Sequence, residues 1–450
     1  FLDRLRELHF EWLYLLGIWS TGEASRGVSR STPSLVDEYA STLPDFASHD
    51  VCGSPFAVTA YRVHPRMGGN GALARLRERA RARDLRLMID FVPNHVALDH
   101  PWRAAHPAYF IVDDARFESF VADGKRYAYG RDPFTGAWRD TLQLNYAEPG
   151  LVDEMVATVR RLSDLADGVR CDMAMLELPD VFEQTWGRRI EPFWPRAIAA
   201  ARDHHPGFVF MAEVYWDREY QMQELGFDYT YDKAMYDRLL QQPAGSVRGH
   251  LHAEADYQRR SVRFLENHDE PRAAATFPLA RHRAAAVLAY LVPGLRFFHD
   301  GQWEGRRVKI SMHLCRRPDE PVDAGVAALY RELLAILRRA APRRGQWQLL
   351  GLRRAWADNP SDAHFVAFSW QREDELLVAI VNDSEHRSQC YVAMPFLHLA
   401  GRPVVLDDLF GPQRYERDGS RLLAEGLYVD VEPWRAHVFL CSALYATEAA

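Results

Sequence analysis

Five short apolar runs in this chain end in a carboxylate: LRLMID at Asp90, GVRCD at Asp172, FVFMAE at Glu213, SVRFLENHD at Asp269 and LRFFHD at Asp300. Acids gathered in this way suit bond exchange at a neutral, oxygen-rich substrate. Displacement at a sugar carbon with retention needs one carboxylate nucleophile and a second carboxyl that donates and then accepts a proton, about 5–5.5 Å apart. Asp172 and Glu213, at the ends of successive runs, fit that pairing. Arg170 stands two residues before Asp172 and so shares its face of a strand, where the guanidinium favours the ionised acid. Glu213 lies between FVFMA and VYW, apolar surroundings that raise a carboxyl towards a usable general acid. His95 and His268 are donors for hydroxyls, Asp269 is a grip for two of them, and Asp90 and Asn94 flank His95. Phe56, Trp102, Tyr109, Trp138 and Trp216 offer flat platforms for sugar faces. Asp300 reads equally well as a helix cap or an arginine partner.

The elements that would carry these residues follow from the same runs. Apolar runs of this length, separated by helical stretches such as GALARLRERARAR and LVDEMVATVRRLSDLAD, read as strands buried on both faces of a parallel barrel. Chemistry in such a barrel sits where the strands end. The expected fold class is therefore α/β, a (β/α)8 TIM barrel formed by 1–96 and 149–345. Residues 97–148, rich in Pro, Gly, Asp and aromatics without helical period, form an inserted subdomain on the catalytic rim. From 346 to 450, short β-rich runs such as HFVAFSW and ELLVAIVN predict a C-terminal β-sandwich. Ser20 to Tyr61 reads as a polar connection with few periodic signals, partly over the site.

Composition narrows the classes. With 450 residues, 48% hydrophobic and 26% charged, the chain has the balance of a water-soluble enzyme. A net charge of −7 argues against nucleic acid as a partner, and ARLRERARARDLR reads as a solvated helix face. Five cysteines without metal-ligand or disulfide spacing fit a reducing compartment. No apolar run is long enough for a membrane span. The expected location is the cytoplasm, and residue 1 reads as mid-domain sequence, which is compatible with a leader upstream. The oligomeric state is left open.

DFVPNH, GVRCD, MAEV and FLENHD, in that order, resemble the four sequence regions of the α-amylase family, glycoside hydrolase family 13. The resemblance implies Asp172 as nucleophile, Glu213 as general acid/base and Asp269 as transition-state stabiliser. It implies Arg170, His95 and His268 as contacts to the attacked sugar, with Asp90 and Asn94 bracing them. GSPFAVTAY is similar to the family's Gly-Tyr segment, so Phe56 takes the place of the tyrosine that stacks on the sugar. Three departures stand out. Met175 and Leu176 occupy the places of the family's usual Lys and His, Ala60 replaces an expected Asp, and WLYLLGIW resembles the second barrel strand, so that the first is missing. Seven staves would leave two open sheet edges and lower stability, or invite pairing at the gap. No cofactor is expected; calcium near Asn94 is the group the family pattern would allow, with its usual His ligand replaced by Leu176. The function expected is a retaining glycosidase or transglycosylase on α-glucosides, oligosaccharide or disaccharide rather than starch. The alternative is a non-catalytic glycan-binding or interaction protein of the same fold, which predicts loss of a catalytic acid, whereas all three acids are present.

Overall fold

The computed structural model describes residues 1–443 and divides the chain into two compact units. The first holds 1–231 and 310–319, the second 232–309 and 320–450. In the first, five parallel strands follow in chain order: β1 (Trp12–Leu15), β2 (Arg86–Phe91), β3 (Gly168–Cys171), β4 (Val209–Ala212) and β5 (Tyr229–Tyr231). The second contributes the parallel pair β6 (Ser261–Arg263) and β7 (Leu295–Arg296). Seven parallel strands are thus present among the described residues. β3 is buried throughout and β2 everywhere but its first residue, because helices such as α1 (Pro149–Leu165) and α2 (Phe193–His204) cover a sheet whose other face also packs inward. Val159 and Leu162 of α1 and Trp194 and Ile198 of α2 belong to the same core as Ile89, Val169 and Phe210 of the strands.

Register decides what the strand ends present. Asp90 pairs with Arg170, and Phe91 with Cys171, while Cys171 pairs with Ala212. Asp172 and Glu213 therefore each stand one residue beyond a paired position on adjacent strands. The backbone stays laddered through them, since Glu213 N–H donates to Cys171 O (3.0 Å) and Asp172 N–H to Phe91 O (2.9 Å).

Two parts depart from the expectations. The stretch expected to be a connection from Ser20 to Tyr61 contains two helices, Glu23–Ser31 and Pro33–Thr42. The first turns Ser25 and Ser29 inward, so its buried face carries hydroxyls instead of an apolar stripe, and no hydrophobic period marks it. The runs SVRFLENHD and LRFFHD are strand only at Ser261–Arg263 and Leu295–Arg296, which leaves Asp269 and Asp300 well past the strand ends. Beyond the first strand end, the Asn267 side-chain oxygen accepts from the N–H groups of Asp269 and Glu270 (2.9 Å each) and holds that segment in a turn.

Residues 97–148 form short pieces, including the two-stranded Ser119–Ala122 with Lys125–Ala128, and Thr141–Gln143 paired with His95–Ala97. From Gln346 onward the second unit is antiparallel: a six-stranded sheet and a three-stranded sheet enclose Phe365, Ile380 and Leu406 of one with Cys390, Val392 and Val429 of the other. The last seven residues of the expected sandwich lie outside the described residues. Among the described residues no helix is long and apolar enough to cross a membrane.

Candidate active site

Arg170 is the centre of the first unit's polar cluster. Its guanidinium is fully buried and reaches three carboxylates: Asp172 Oδ1 at 2.6 Å and Asp90 Oδ1 at 3.4 Å through Nη1, and Glu213 Oε2 at 2.7 Å through Nη2. The strand pairing of Asp90 with Arg170 and the two-residue step from Arg170 to Asp172 put all of these on one face. The rings of Phe56 and Tyr231 lie 5.3 and 5.9 Å from the guanidinium carbon, aromatic faces that hold a desolvated cation. Burial pulls the Arg170 pKa down, but Glu213 and the other acidic groups more than offset this, so it stays charged.

Glu213 is bonded through both oxygens. Oε2 also accepts from the Met173 N–H (2.8 Å), and Oε1 from the Tyr215 hydroxyl (2.8 Å). Burial pushes its pKa up, Arg170 pulls it back, and the charge of Asp172 adds to the rise; the balance is upward. Both carboxyls thus share the Arg170 guanidinium, and burial biases Glu213 towards its protonated form. Met173 reaches Glu213 from a left-handed backbone conformation (φ 42°), an uncommon state for a non-glycine residue.

Asp90 lies beneath, with no exposed surface, accepting from the Tyr14 hydroxyl (2.5 Å) and the Gly17 N–H (2.6 Å). Burial raises its pKa despite Arg170 and these donors. Its partners make it a brace for Arg170. Asn94 Oδ1 accepts from Gln143 Nε2 (2.9 Å), which orients the amide, and Asn94 Nδ2 is 3.3 Å from His95 Nδ1. The His95 proton then resides on Nε2, available to a hydroxyl. Burial lowers the His95 pKa to about 3, so the ring is neutral, and its centroid lies 5.2 Å from that of Trp138 in a T-shaped pair.

In the second unit His268 Nε2 lies 3.2 Å from Asp269 Oδ2, and the Asp269 side chain is about one-third exposed. Asp300 is exposed at its side chain, while its carbonyl accepts from Arg272 Nη2 (2.8 Å). Met175 and Leu176 are buried in the single turn Ala174–Glu177 that follows Asp172. Trp102 is half-buried against His100 and Tyr109.

Sequence reasoning missed Tyr14, Tyr215 and Glu177. Strand alternation was the available signal for Tyr215, two residues after Glu213. Tyr14 meets Asp90 only through the pairing of β1 with β2. Glu177 is buried, neither of its carboxyl oxygens has a hydrogen-bond partner, and burial with the charge of Asp172 holds its pKa well above the usual carboxylate range.

Known proteins align with this arrangement. The chain is 28% identical over 252 residues to an α-1,4-glucan:maltose-1-phosphate maltosyltransferase of Burkholderia pseudomallei, covering 51% of this chain and 18% of that protein. It is 23% identical over 332 residues to the α-amylase MalA of Haloarcula japonica, covering 72% of this chain and 46% of the relative. The chain thus spans less than half the length of these two relatives. Among solved structures, a noncanonic maltogenic α-amylase, AmyB from Thermotoga neapolitana, superposes with a TM-score of 0.71 at 18% identity over 99% of this chain and 93% of that one. An α-amylase from Lactobacillus plantarum gives 0.66 at 22% identity, covering 97% and 92%. These likenesses establish the barrel fold with its antiparallel C-terminal sheets. The profile described as "Alpha amylase, catalytic domain" matches residues 56–311, more than half of the 450, and the chain belongs to the α-amylase family.

Proposed function

We propose that this chain is a retaining glycosidase or transglycosylase acting on short α-glucosides by double displacement. Glu213 protonates the glycosidic oxygen as Asp172 attacks the anomeric carbon, so the bond to the leaving sugar breaks as the glycosyl–Asp172 ester forms. Glu213, now a carboxylate, takes a proton from water or an acceptor hydroxyl, which attacks the anomeric carbon and frees Asp172. His95 is a donor for a sugar hydroxyl, and the resemblance of FLENHD to the family's fourth region implies hydroxyl contacts for His268 and Asp269; such contacts gain most as positive charge develops on the ring. Phe56 contributes an apolar wall beside Arg170, and residues 97–148 act as an inserted subdomain.

The observation that carries this reading is one buried guanidinium gripping oxygens of both Asp172 and Glu213. It keeps the two carboxyls adjacent without neutralising the function of either. Short substrates are favoured because the buried Met175 and Leu176 replace the polar pair that would contact a leaving-group sugar. The reading routes no step through calcium; Asn94 Oδ1 accepts from Gln143 Nε2, and the Leu176 side chain carries no ligand atom.

The test is turnover of maltose, sucrose, trehalose, maltodextrin and maltose 1-phosphate with and without acceptor sugars. Asp172→Asn and Glu213→Gln should each lower kcat by at least about a thousandfold, on the scale of losing a reacting group. Turnover undiminished in Asp172→Asn would sink the assignment, and inversion of the anomeric centre would sink the double displacement.

A further inference from the structure

On the first unit, away from the residues that surround Arg170, three metal-ligating side chains converge. Asp164, next to last in α1, offers Oδ1 to His204 Nε2 at 2.8 Å and to His205 Nε2 at 3.1 Å. All three ligand atoms lie within 4.8 Å of one another. The side chains are 55%, 34% and 43% exposed, so an ion and its water have access.

The chain builds this cluster from a helix stop. Pro206 cannot extend α2, and His205 leaves the helix with φ −134° and ψ 92° while its N–H still caps Ala201 O (2.8 Å). The break swings His205 so that both Nε2 atoms meet one oxygen, with the ring centroids 4.4 Å apart and the planes at 64°. Phe208 N–H donates back to His205 O (2.9 Å) and closes the turn. On the facing helix end, Arg77 Nη1 donates to the Asp164 carbonyl at 2.5 Å, which holds that backbone in place. The ligands are therefore anchored on both sides by contacts that are independent of any ion.

We propose that Asp164, His204 and His205 form a binding site for a divalent transition-metal ion of the zinc class. Two imidazole nitrogens and one carboxylate oxygen are the donor set such borderline ions prefer, and hard cations such as magnesium take few imidazoles. Metal–ligand bonds of about 2.0–2.2 Å in a tetrahedron separate the ligand atoms by roughly 3.3–3.6 Å, a spacing that small side-chain shifts reach from the two contacts to Asp164 and the 4.8 Å limit on all three atoms. With each ring proton on Nδ1 the Nε2 lone pairs would face the ion, and water would fill the remaining position. The ion would join the C-terminal ends of α1 and α2, the helices leading into β3 and β4 and hence to Asp172 and Glu213. Its expected effect is stabilisation of that helix pair.

The test uses the full chain after chelation, titrated with Zn2+ and separately with Mg2+ by calorimetry and thermal melting. Wild type should bind one more equivalent of Zn2+ than His204→Ala/His205→Ala and gain several degrees in Tm, with no gain from Mg2+. Asp164→Asn should bind Zn2+ at least about tenfold more weakly while its far-UV circular dichroism matches wild type. Equal Zn2+ stoichiometry, affinity and Tm gain in wild type and the double variant would overturn the proposal, since the ion would then reside on other groups such as the cysteines.

Discussion

One guanidinium, that of Arg170, contacts Asp90, Asp172 and Glu213 together, and only a planar fork can do so. Arg170→Lys should therefore lower kcat by about a hundredfold or more, with steady-state kinetics as the check. Tyr215 acts on a finer scale. Its hydroxyl bonds the ionised form of Glu213 and pulls that pKa down. Tyr215→Phe should move the basic limb of kcat/KM to higher pH, because the protonated acid persists further; an unmoved limb would show that Glu213 does not set it. Glu177 has the opposite character. Burial raises its pKa, so the native state holds a proton that the unfolded chain gives up above the ordinary carboxylate pKa. Its effect on stability is neutral below that pKa and grows unfavourable as pH rises, by about 1.4 kcal/mol per pH unit until the native group ionises. Glu177→Gln should raise the urea midpoint at pH 7 and bring no gain near pH 4.

At the level of elements, strand register and the breaks between strands do the positioning. The sharp bend after β1 depends on Gly17, which has φ 68° and donates its N–H to Asp90. A Cβ there would stand 2.3 Å from Pro55 Cβ, a contact that backbone must relieve. Gly17→Ala should cost about 2–4 kcal/mol in chemical denaturation, from left-handed strain and overpacking together. It should also lower activity by displacing a donor of Asp90. Gly168 has a different role, since a Cβ at the start of β3 would meet Val209 O at 2.7 Å and push apart the strands that carry Asp172 and Glu213.

For the molecule as a whole, two sets of buried groups oppose each other in pH. Burial lowers His95 to about 3 and His100, His282 and His313 to about 4, so these depressed bases lose stability as pH falls below about 6.5. Burial raises Asp90, Glu177 and Glu213, and pushes Asp383 up to about 7. These acids lose stability as pH rises above the ordinary carboxylate range. Between about pH 4.5 and 6.5 the unfolded chain gains protons at the histidines while the native chain keeps them at the acids, so the slopes offset. Tm against pH should be flat across that window, falling below it through the histidines and above it through the acids. A steady climb from pH 4.5 to 8 would contradict this balance.

The sequence by itself determined the barrel and the polar set around Arg170. Apolar runs that end in acids report burial on both faces and the rim at once, and the step from Arg170 to Asp172 requires a shared face. Local pattern reaches no further than a strand and its neighbours in the chain. The serine-faced helix at Glu23–Ser31 escaped because its buried side carries hydroxyls, and the short extent of β6 escaped because SVRFLENHD reads as one continuous run although the ladder ends at Arg263. Only tertiary structure decided that Arg170 grips Glu213 as well as Asp172, that Tyr14 braces Asp90, and that Glu177 is left without a partner. Each depends on cross-strand register or on exclusion of water, quantities that arise when distant segments pack and that no spacing along the chain encodes.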